Sequence, residues 1–331
     1  MKKIIIFGAT GNVGSYLVDY AKKFFDNQYE IIAVGHRKTD FFKKLNIEYY
    51  SIDISKFDDF KKLPTDEVYA VINLAGILPA YYEGTDYSKY FEINTIGGYN
   101  ILEYCRINKV KKIIYSQTFS DLAGYWEKEI VLKPYMERKL NYNNDHTIYA
   151  ISKCAVFDLV NHYNQCYNID SYIFRLPNIY MYTKEDVYRV DGKLKKVGYR
   201  LIIDNAIAGN DIEVWGDPNR VKDIVYVADL CQMICKSINS DIHYGVYNVG
   251  TGVGTSMEQQ IDDIIEVFCP KNHKSRKIYC PEKPSTPQYI MDISNAEKDF
   301  GYKPEFNHKR YLEELKKEME LDRFADLRRK D

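Results

Sequence analysis

The chain has 331 residues, 45% hydrophobic and 28% charged, and its 46 basic and 47 acidic side chains leave a net charge of −1. That balance argues against a general nucleic-acid or polyanion binder and leaves room only for local basic sites that meet phosphate. The length allows one large α/β domain or two lobes, and no apolar run approaches the ~20 residues that span a bilayer.

In chain order, Ile4 to Phe7 are apolar without alternation, which predicts a strand covered on both faces. Lys2, Lys3 and this short run mimic a signal peptide, but Gly8 ends it too early. Gly8, Gly11 and Gly14 follow, and Val13, Leu17, Val18, Ala21 and Phe24 then recur at helical spacing. A strand, a glycine turn and a helix N-terminus make a pyrophosphate cradle. The first glycine allows the turn, the second admits the phosphates, and the third packs helix on strand. Thr10, Asn12 and Val13 lie in that turn.

Further strands are predicted at 30–34, 49–52, 70–73, 112–115 and 171–174, alternating with helices such as 90–106 and 150–163. The alternation predicts an α/β fold, a Rossmann-type doubly wound parallel sheet. An acidic residue ending the second strand would accept the ribose hydroxyls of NAD, but the chain has Gly35-His36-Arg37-Lys38 there. The missing carboxylate, with Arg37 or Lys38 able to pair with a 2′-phosphate, favours NADP over NAD. Solvated loop cations are the alternative. Asp53-Ile54 closes the third strand, where Asp53 holds the adenine edge or caps the next helix.

The fifth strand runs into Ser116-Gln117-Thr118, hydroxyls at the edge where parallel sheets bind ligands. Tyr149 and Lys153, four apart, share a helix face, and a nearby cation lowers a phenol toward use as an acid/base. Past Pro177 the pattern changes. Residues 183–199 read as a loop or small excursion, and prolines 270, 281, 284 and 287 exclude a helix from 270–290. The last helix, 309–324, is charged on most faces and expected to be solvent-exposed. The seven cysteines are scattered, with no Cys-x-x-Cys pair, and His162 and the other histidines lack paired ligand spacing. A reduced, cytoplasmic protein without a metal site is expected.

These motifs together resemble an extended short-chain dehydrogenase/reductase of the nucleotide-sugar epimerase/dehydratase family. The likeness runs from residue 3 to about 304. It is carried by Gly8-x-x-Gly11-x-x-Gly14, Asp53-Ile54, Asn73-Leu74-Ala75-Gly76, Asn94, Ser116-x-Thr118, Tyr149-x-x-x-Lys153 and Arg175-Leu-Pro-Asn-Ile-Tyr180. Trp215-Gly-Asp217, Lys222-Asp-Ile-Val-Tyr-Val227, Tyr247-Asn-Val-Gly-Thr-Gly252 and Asp292-Ile-Ser-Asn-Ala296 complete it.

The resemblance implies a cofactor lobe of residues 1–176 plus about 221–250, and a smaller C-terminal substrate-binding lobe of 177–220 plus 251–331. It implies Tyr149 as acid/base, Lys153 on the nicotinamide ribose and Thr118 on the reacting hydroxyl. Leu74, Ala75, Gly76, Asn94, Ser116 and Pro177 join the cofactor contacts. Asn178, Arg220 and Lys222 would meet the sugar nucleotide, with Lys222 where Arg is usual. Trp215 would lie near the nucleobase or in the small lobe's core. A homodimer through the 90–106 and 150–163 helices is also implied.

Three departures narrow the reaction. Phe119 and Ser120 replace the acids of related dehydratases and decarboxylases, the segment from Thr118 to Tyr149 is several residues longer, and Met181 replaces a glycine. An NAD(P)-dependent nucleotide-sugar epimerase is the first reading and an NADPH-dependent keto-sugar reductase the alternative. A non-catalytic NADP-binding sensor or scaffold comes third, because an activated phenol serves no sensor.

Overall fold

The computed structural model describes residues 1–327 apart from 83, 85, 129, 144, 145, 191 and 192. A 7-stranded parallel sheet organises the chain. Its strands are β1 (Lys3–Phe7), β2 (Glu30–Gly35), β3 (Glu48–Ser51), β4 (Val68–Asn73), β5 (Lys112–Thr118), β6 (Asp170–Leu176) and β7 (Tyr244–Asn248). Spatially they run 3-2-1-4-5-6-7, so the order reverses beside β1 and opens a crevice at the strands' C-terminal ends. Ile4 and Ile6 pack into the core on one face with Leu17 and Val18, while Ile5 and Phe7 pack on the other with Ile101 and Leu102. Burial of successive side chains on opposite faces is why β1 shows no polar alternation.

The helices that matter are α1 (Asn12–Phe25), α2 (Gly97–Ile107), α3 (His146–Tyr167), α4 (Gly198–Ala208), α5 (Val227–Ile238), α6 (Met257–Phe268) and α7 (His308–Leu321). After forming part of the second lobe, the chain returns: α5 packs on α1, and β7 pairs with β6. The second lobe is built from α4, α6, α7 and short strand pairs, such as Ile212–Trp215 with Lys277–Cys280. Its main polar pin is Asp223, fully buried, which accepts N–H bonds from Thr251 at 2.8 Å and from Gly252 and Met291 at 3.1 Å.

Three elements differ from the sequence expectation. The expected 90–106 helix begins as a π-helical turn, Tyr90–Ile96, before α2. The 183–199 excursion contains an antiparallel hairpin, Val187–Val190 with Lys193–Lys196, followed at once by α4. The last helix is not solvent-exposed all round, since Tyr311, Leu312 and Leu315 are buried. That narrow apolar stripe sits on α6, and charged residues on the other faces disguise it. Beyond α7 the chain folds back, setting Phe324 edge-on to Tyr16 of α1 at 4.7 Å. Among the described residues no helix is long and apolar enough to cross a membrane.

Candidate active site

A cleft of about 2280 Å³ lies between the C-terminal ends of the sheet strands and the second lobe. The glycine turn forms its floor, with Gly8, Thr10, Gly11, Asn12, Val13 and Gly14 all on its wall. Gly8 has φ +84°, and a Cβ there would come 2.8 Å from the Ala75 amide nitrogen. A Cβ on Gly14 would lie 2.0 Å from the Gly8 carbonyl oxygen, so α1 can meet β1 this closely only through a bare backbone. Tyr81, on the loop after β4, lines the same cleft, and the Asn12 side chain lies near its hydroxyl.

At the end of β2, Arg37 lies on the cleft and its guanidinium donates to the Thr10 carbonyl. Lys38 is exposed and does not line the cleft. Gly35 has a packing reason of its own: a Cβ there would lie 2.7 Å from the Thr10 hydroxyl and 2.9 Å from that of Tyr49. Asp53 and Ile54 line the cleft, but the Asp53 carboxylate accepts from the Ser55 amide at 3.0 Å and hydroxyl at 2.7 Å, a local turn rather than a cap on the next helix, Phe57–Lys62, whose N-cap position is Lys56. Burial opposes ionisation of Asp53, yet the Ser55 and Lys56 contacts leave its carboxyl below the usual range.

Leu74, Ala75, Gly76 and Ser116 line the cleft, and the Ser116 hydroxyl donates to the Asn73 carbonyl at 2.9 Å. Asn94 stands behind them rather than on the wall. Its Oδ1 accepts from the Ile77 amide at 2.8 Å, and its Nδ2 donates to the Ile77 carbonyl and to the Ser152 hydroxyl. One amide side chain thus braces the loop after β4 against α3, from inside a π-helical turn.

Thr118, Tyr149 and Lys153 converge. The Thr118 side chain lies near enough to the Tyr149 hydroxyl to favour its ionised form, and Lys153 lies one turn along α3 on the same cleft wall. The sequence argument expected Lys153 to lower the Tyr149 pKa. Here burial dominates both groups. It raises the phenol to about 12, against the lowering effect of Thr118, and it depresses the lysine to about 7. The Lys153 ammonium faces the Tyr115 ring at 4.3 Å, and the Tyr115 hydroxyl donates to the Lys153 carbonyl at 2.9 Å.

Behind Thr118 is a polar ladder that sequence reasoning missed. Gln117, Arg175 and Asn248 are side by side in register across β5, β6 and β7. Arg175, 1% exposed, donates from Nε and Nη2 to both oxygens of the fully buried Asp121, at 2.8 and 3.1 Å. Its Nη1 donates to the Pro134 carbonyl at 2.7 Å. The fork locks the turn after Thr118, although burial still raises the Asp121 carboxyl against the pull of Arg175. Nothing in linear spacing pairs residues 117, 121, 175 and 248; only the strand order does.

On the substrate side, Pro177, Asn178, Trp215 and Lys222 line the cleft. Trp215 is 48% exposed there, so the core alternative does not hold; its indole N–H donates to Glu213 at 2.8 Å and Lys283 covers its ring. The Lys222 ammonium lies 5.8 Å from the Tyr180 ring centre and 5.9 Å from that of Tyr289. Arg220 is not on the cleft wall. It pairs instead with Glu127, in the lengthened segment after Thr118. Among the described residues, no group of three His, Cys, Asp or Glu side chains converges to hold a metal ion.

A model of the NAD dependent epimerase/dehydratase family matches residues 4–250. A Methanocaldococcus jannaschii protein provisionally named a UDP-glucose 4-epimerase is 27% identical over 317 residues, covering 92% of this chain and 94% of its own. The structure of UDP-glucose 4-epimerase from Thermotoga maritima with UDP-glucose superposes with a TM-score of 0.77 at 20% identity, over 97% of this chain and 99% of that one. UDP-glucuronic acid 4-epimerase from Bacillus cereus, in complex with NAD, gives 0.72 at 20% identity over 96% of each chain.

Proposed function

The chain belongs to the NAD dependent epimerase/dehydratase family and is an enzyme, and from that premise we propose that it epimerises a nucleotide-diphospho-sugar through a transient keto-sugar. The observation that carries this reading is the convergence of Thr118 and Tyr149, with Lys153 one helical turn away, in a cleft floored by the glycine turn. The bare backbone at Gly8 and Gly14 fits a dinucleotide pyrophosphate, since any side chain there would fill the space. The dinucleotide supplies the nicotinamide that takes up a hydride and returns it. Tyr149 Oη takes the proton of the sugar hydroxyl as that carbon is oxidised, and gives it back when the carbonyl is reduced from the other face. Thr118 aligns the hydroxyl, and Lys153, while protonated, favours the phenolate. Phe119 and Ser120 offer no carboxyl to expel water, which supports epimerisation over dehydration.

The cofactor cradle would be Gly8 to Gly14, Leu74 to Gly76, Ser116 and Pro177; Asn178, Trp215 and Lys222 would meet the sugar nucleotide. We divide the lobes at the cleft, with residues 1–176 plus about 221–250 holding the cofactor. For the adenosine end, the absence of a carboxylate at Gly35 with Arg37 nearby supports NADP. The packing that Gly35 itself permits, and NAD in the Bacillus cereus enzyme, support NAD.

Denaturing the purified protein and weighing the released dinucleotide decides between them. Retained NAD(H) or NADP(H) supports self-recycling epimerisation. An empty protein with strong NADPH preference supports the reductase alternative. Tyr149→Phe should abolish turnover with cofactor binding intact; sugar turnover surviving that change refutes the assignment. We also propose a homodimer through α2, its π-helical turn and α3, where Phe91, Ile96 and Tyr99 are exposed. A single-chain mass by light scattering would sink it.

A further inference from the structure

The segment that follows α7 crosses from the second lobe to the cofactor side. Asp322 ends the helix in the left-handed region, with φ +42°, and turns the chain back toward α1. Residues 323–326 then grip that side at three points. The Arg323 guanidinium pairs with Asp19 of α1 at 2.7 Å while also pairing with Glu318 of α7. The Phe324 ring lies 4.7 Å from that of Tyr16 on α1 and 6.0 Å from that of Phe41, which opens the helical turn after β2. Asp326 pairs at 2.6 Å with Lys44, which ends that turn.

The three grips are unequal. The Lys44–Asp326 pair is exposed on both sides, so water and salt leave it little strength. Arg323 and Asp19 are better shielded, and the guanidinium lies 5.4 and 5.0 Å from the Tyr16 and Phe324 ring centres. Phe324 is 8% exposed and holds most, because a whole aromatic side chain leaves water. Phe324 and Leu327 also line the cleft, as do Tyr16 and Arg37. The start of α1 and the end of β2 flank the place where a doubly wound sheet seats the adenosine half of a dinucleotide, and Phe324 spans the residues that follow both. The Tyr16 hydroxyl donates to the Tyr182 carbonyl at 3.2 Å, so the same ring ties α1 to the second lobe. Parting the lobes at this end pulls Phe324 off two rings and breaks both ion pairs.

We propose that residues 322–327 form a strap across the adenosine end of the cleft and set the rate at which the dinucleotide is exchanged. This rests on the cleft holding a dinucleotide and not on the choice of sugar. It deepens the functional reading, because hydride return needs a cofactor that stays and net reduction needs one that leaves.

The test is a stopped-flow chase of bound NADH by excess NAD+ in the full chain, repeated with NADPH and NADP+, beside urea melts of the cofactor-free proteins. Phe324→Ala should release the dinucleotide about tenfold to a hundredfold faster, with association changed far less. Arg323→Gln should accelerate release by a smaller factor, and Lys44→Gln hardly at all. Phe324→Leu keeps apolar bulk and should restore most of the slow release. Phe324→Ala that melts earlier yet releases at the wild-type rate has a purely structural role and overturns the proposal. If that variant does not fold, Arg323→Gln decides, and an unchanged release rate at an unchanged urea midpoint overturns it equally. A wild type that binds neither NADH nor NADPH refutes the dinucleotide reading and the strap with it. Graded release in a protein that turns over no nucleotide sugar refutes the substrate reading and leaves the strap standing.

Discussion

The two walls of the cleft are built by opposite means. The sheet-side wall is made by subtraction: Gly8, Gly14, Gly35 and Gly76 let backbone and neighbouring side chains approach within distances no Cβ would tolerate. The facing wall is made by addition, with Tyr180, Tyr182, Tyr199, Trp215 and Tyr289 as panels and Arg200 and Lys222 set among them. The first wall tolerates almost no change of shape, because a backbone carbonyl cannot rotate away. The second tolerates shape change but depends on charge. A ligand that is invariant suits the first kind of surface, and one that must be chosen suits the second.

The strongest test of that contrast is Gly14→Ala. Its new methyl would start 2.0 Å from the Gly8 carbonyl oxygen and 2.9 Å from the Ala9 Cα, both backbone atoms. Relief requires α1 to lift off β1, which opens the turn that faces the pyrophosphate. The expected result is loss of measurable dinucleotide binding, with several kcal/mol of stability lost as well, more than the ~1–3 typical of overpacking. Fluorescence titration with NADH and a urea melt report the two effects. Unimpaired NADH binding would show that the turn has slack, and the contrast between the walls would fail.

How far the sequence reveals each wall follows from the same difference. The glycine turn, β1 and the Tyr149–Lys153 spacing are local, so short windows expose them. Gly35 was legible as a missing carboxylate but not as a contact, because Thr10 and Tyr49 reach it only once β1, β2 and β3 are paired. Asp121 with Arg175 was invisible for a similar reason, since 54 residues separate them and β5 meets β6 only in space. Arg200 read as one cation among 46 basic residues until its burial on the cleft wall set it apart. Arg220 misled in the other direction: its place beside the Lys222 motif suggested the substrate, whereas it pairs with Glu127 off the cleft wall.

Lys153 is the charged exception on the wall made by packing, and it gives a smaller and signed effect. Burial depresses it from 10.5 to about 7 in the folded chain, where its ammonium faces the Tyr115 ring. Below pH 7 the folded and unfolded chains both carry the proton, and folding bears the whole cost of the buried charge. Between pH 7 and about 10.5 the unfolded chain holds a proton the folded one has released, so stability rises with pH across that window. Above it the cost has vanished. Lys153→Met removes the titration and keeps the bulk. In cofactor-free protein the variant should therefore be more stable than wild type at pH 6, by at most about 5 kcal/mol. The gap should narrow steadily above pH 7 and close near pH 10. Urea midpoints at equal m-value, taken from pH 6 to 10, measure it. A wild type already more stable at pH 6, or a gap that ignores pH, would mean that the Tyr115 face and residual solvent compensate the charge. The sheet-side wall would then tolerate charge as readily as the substrate wall does.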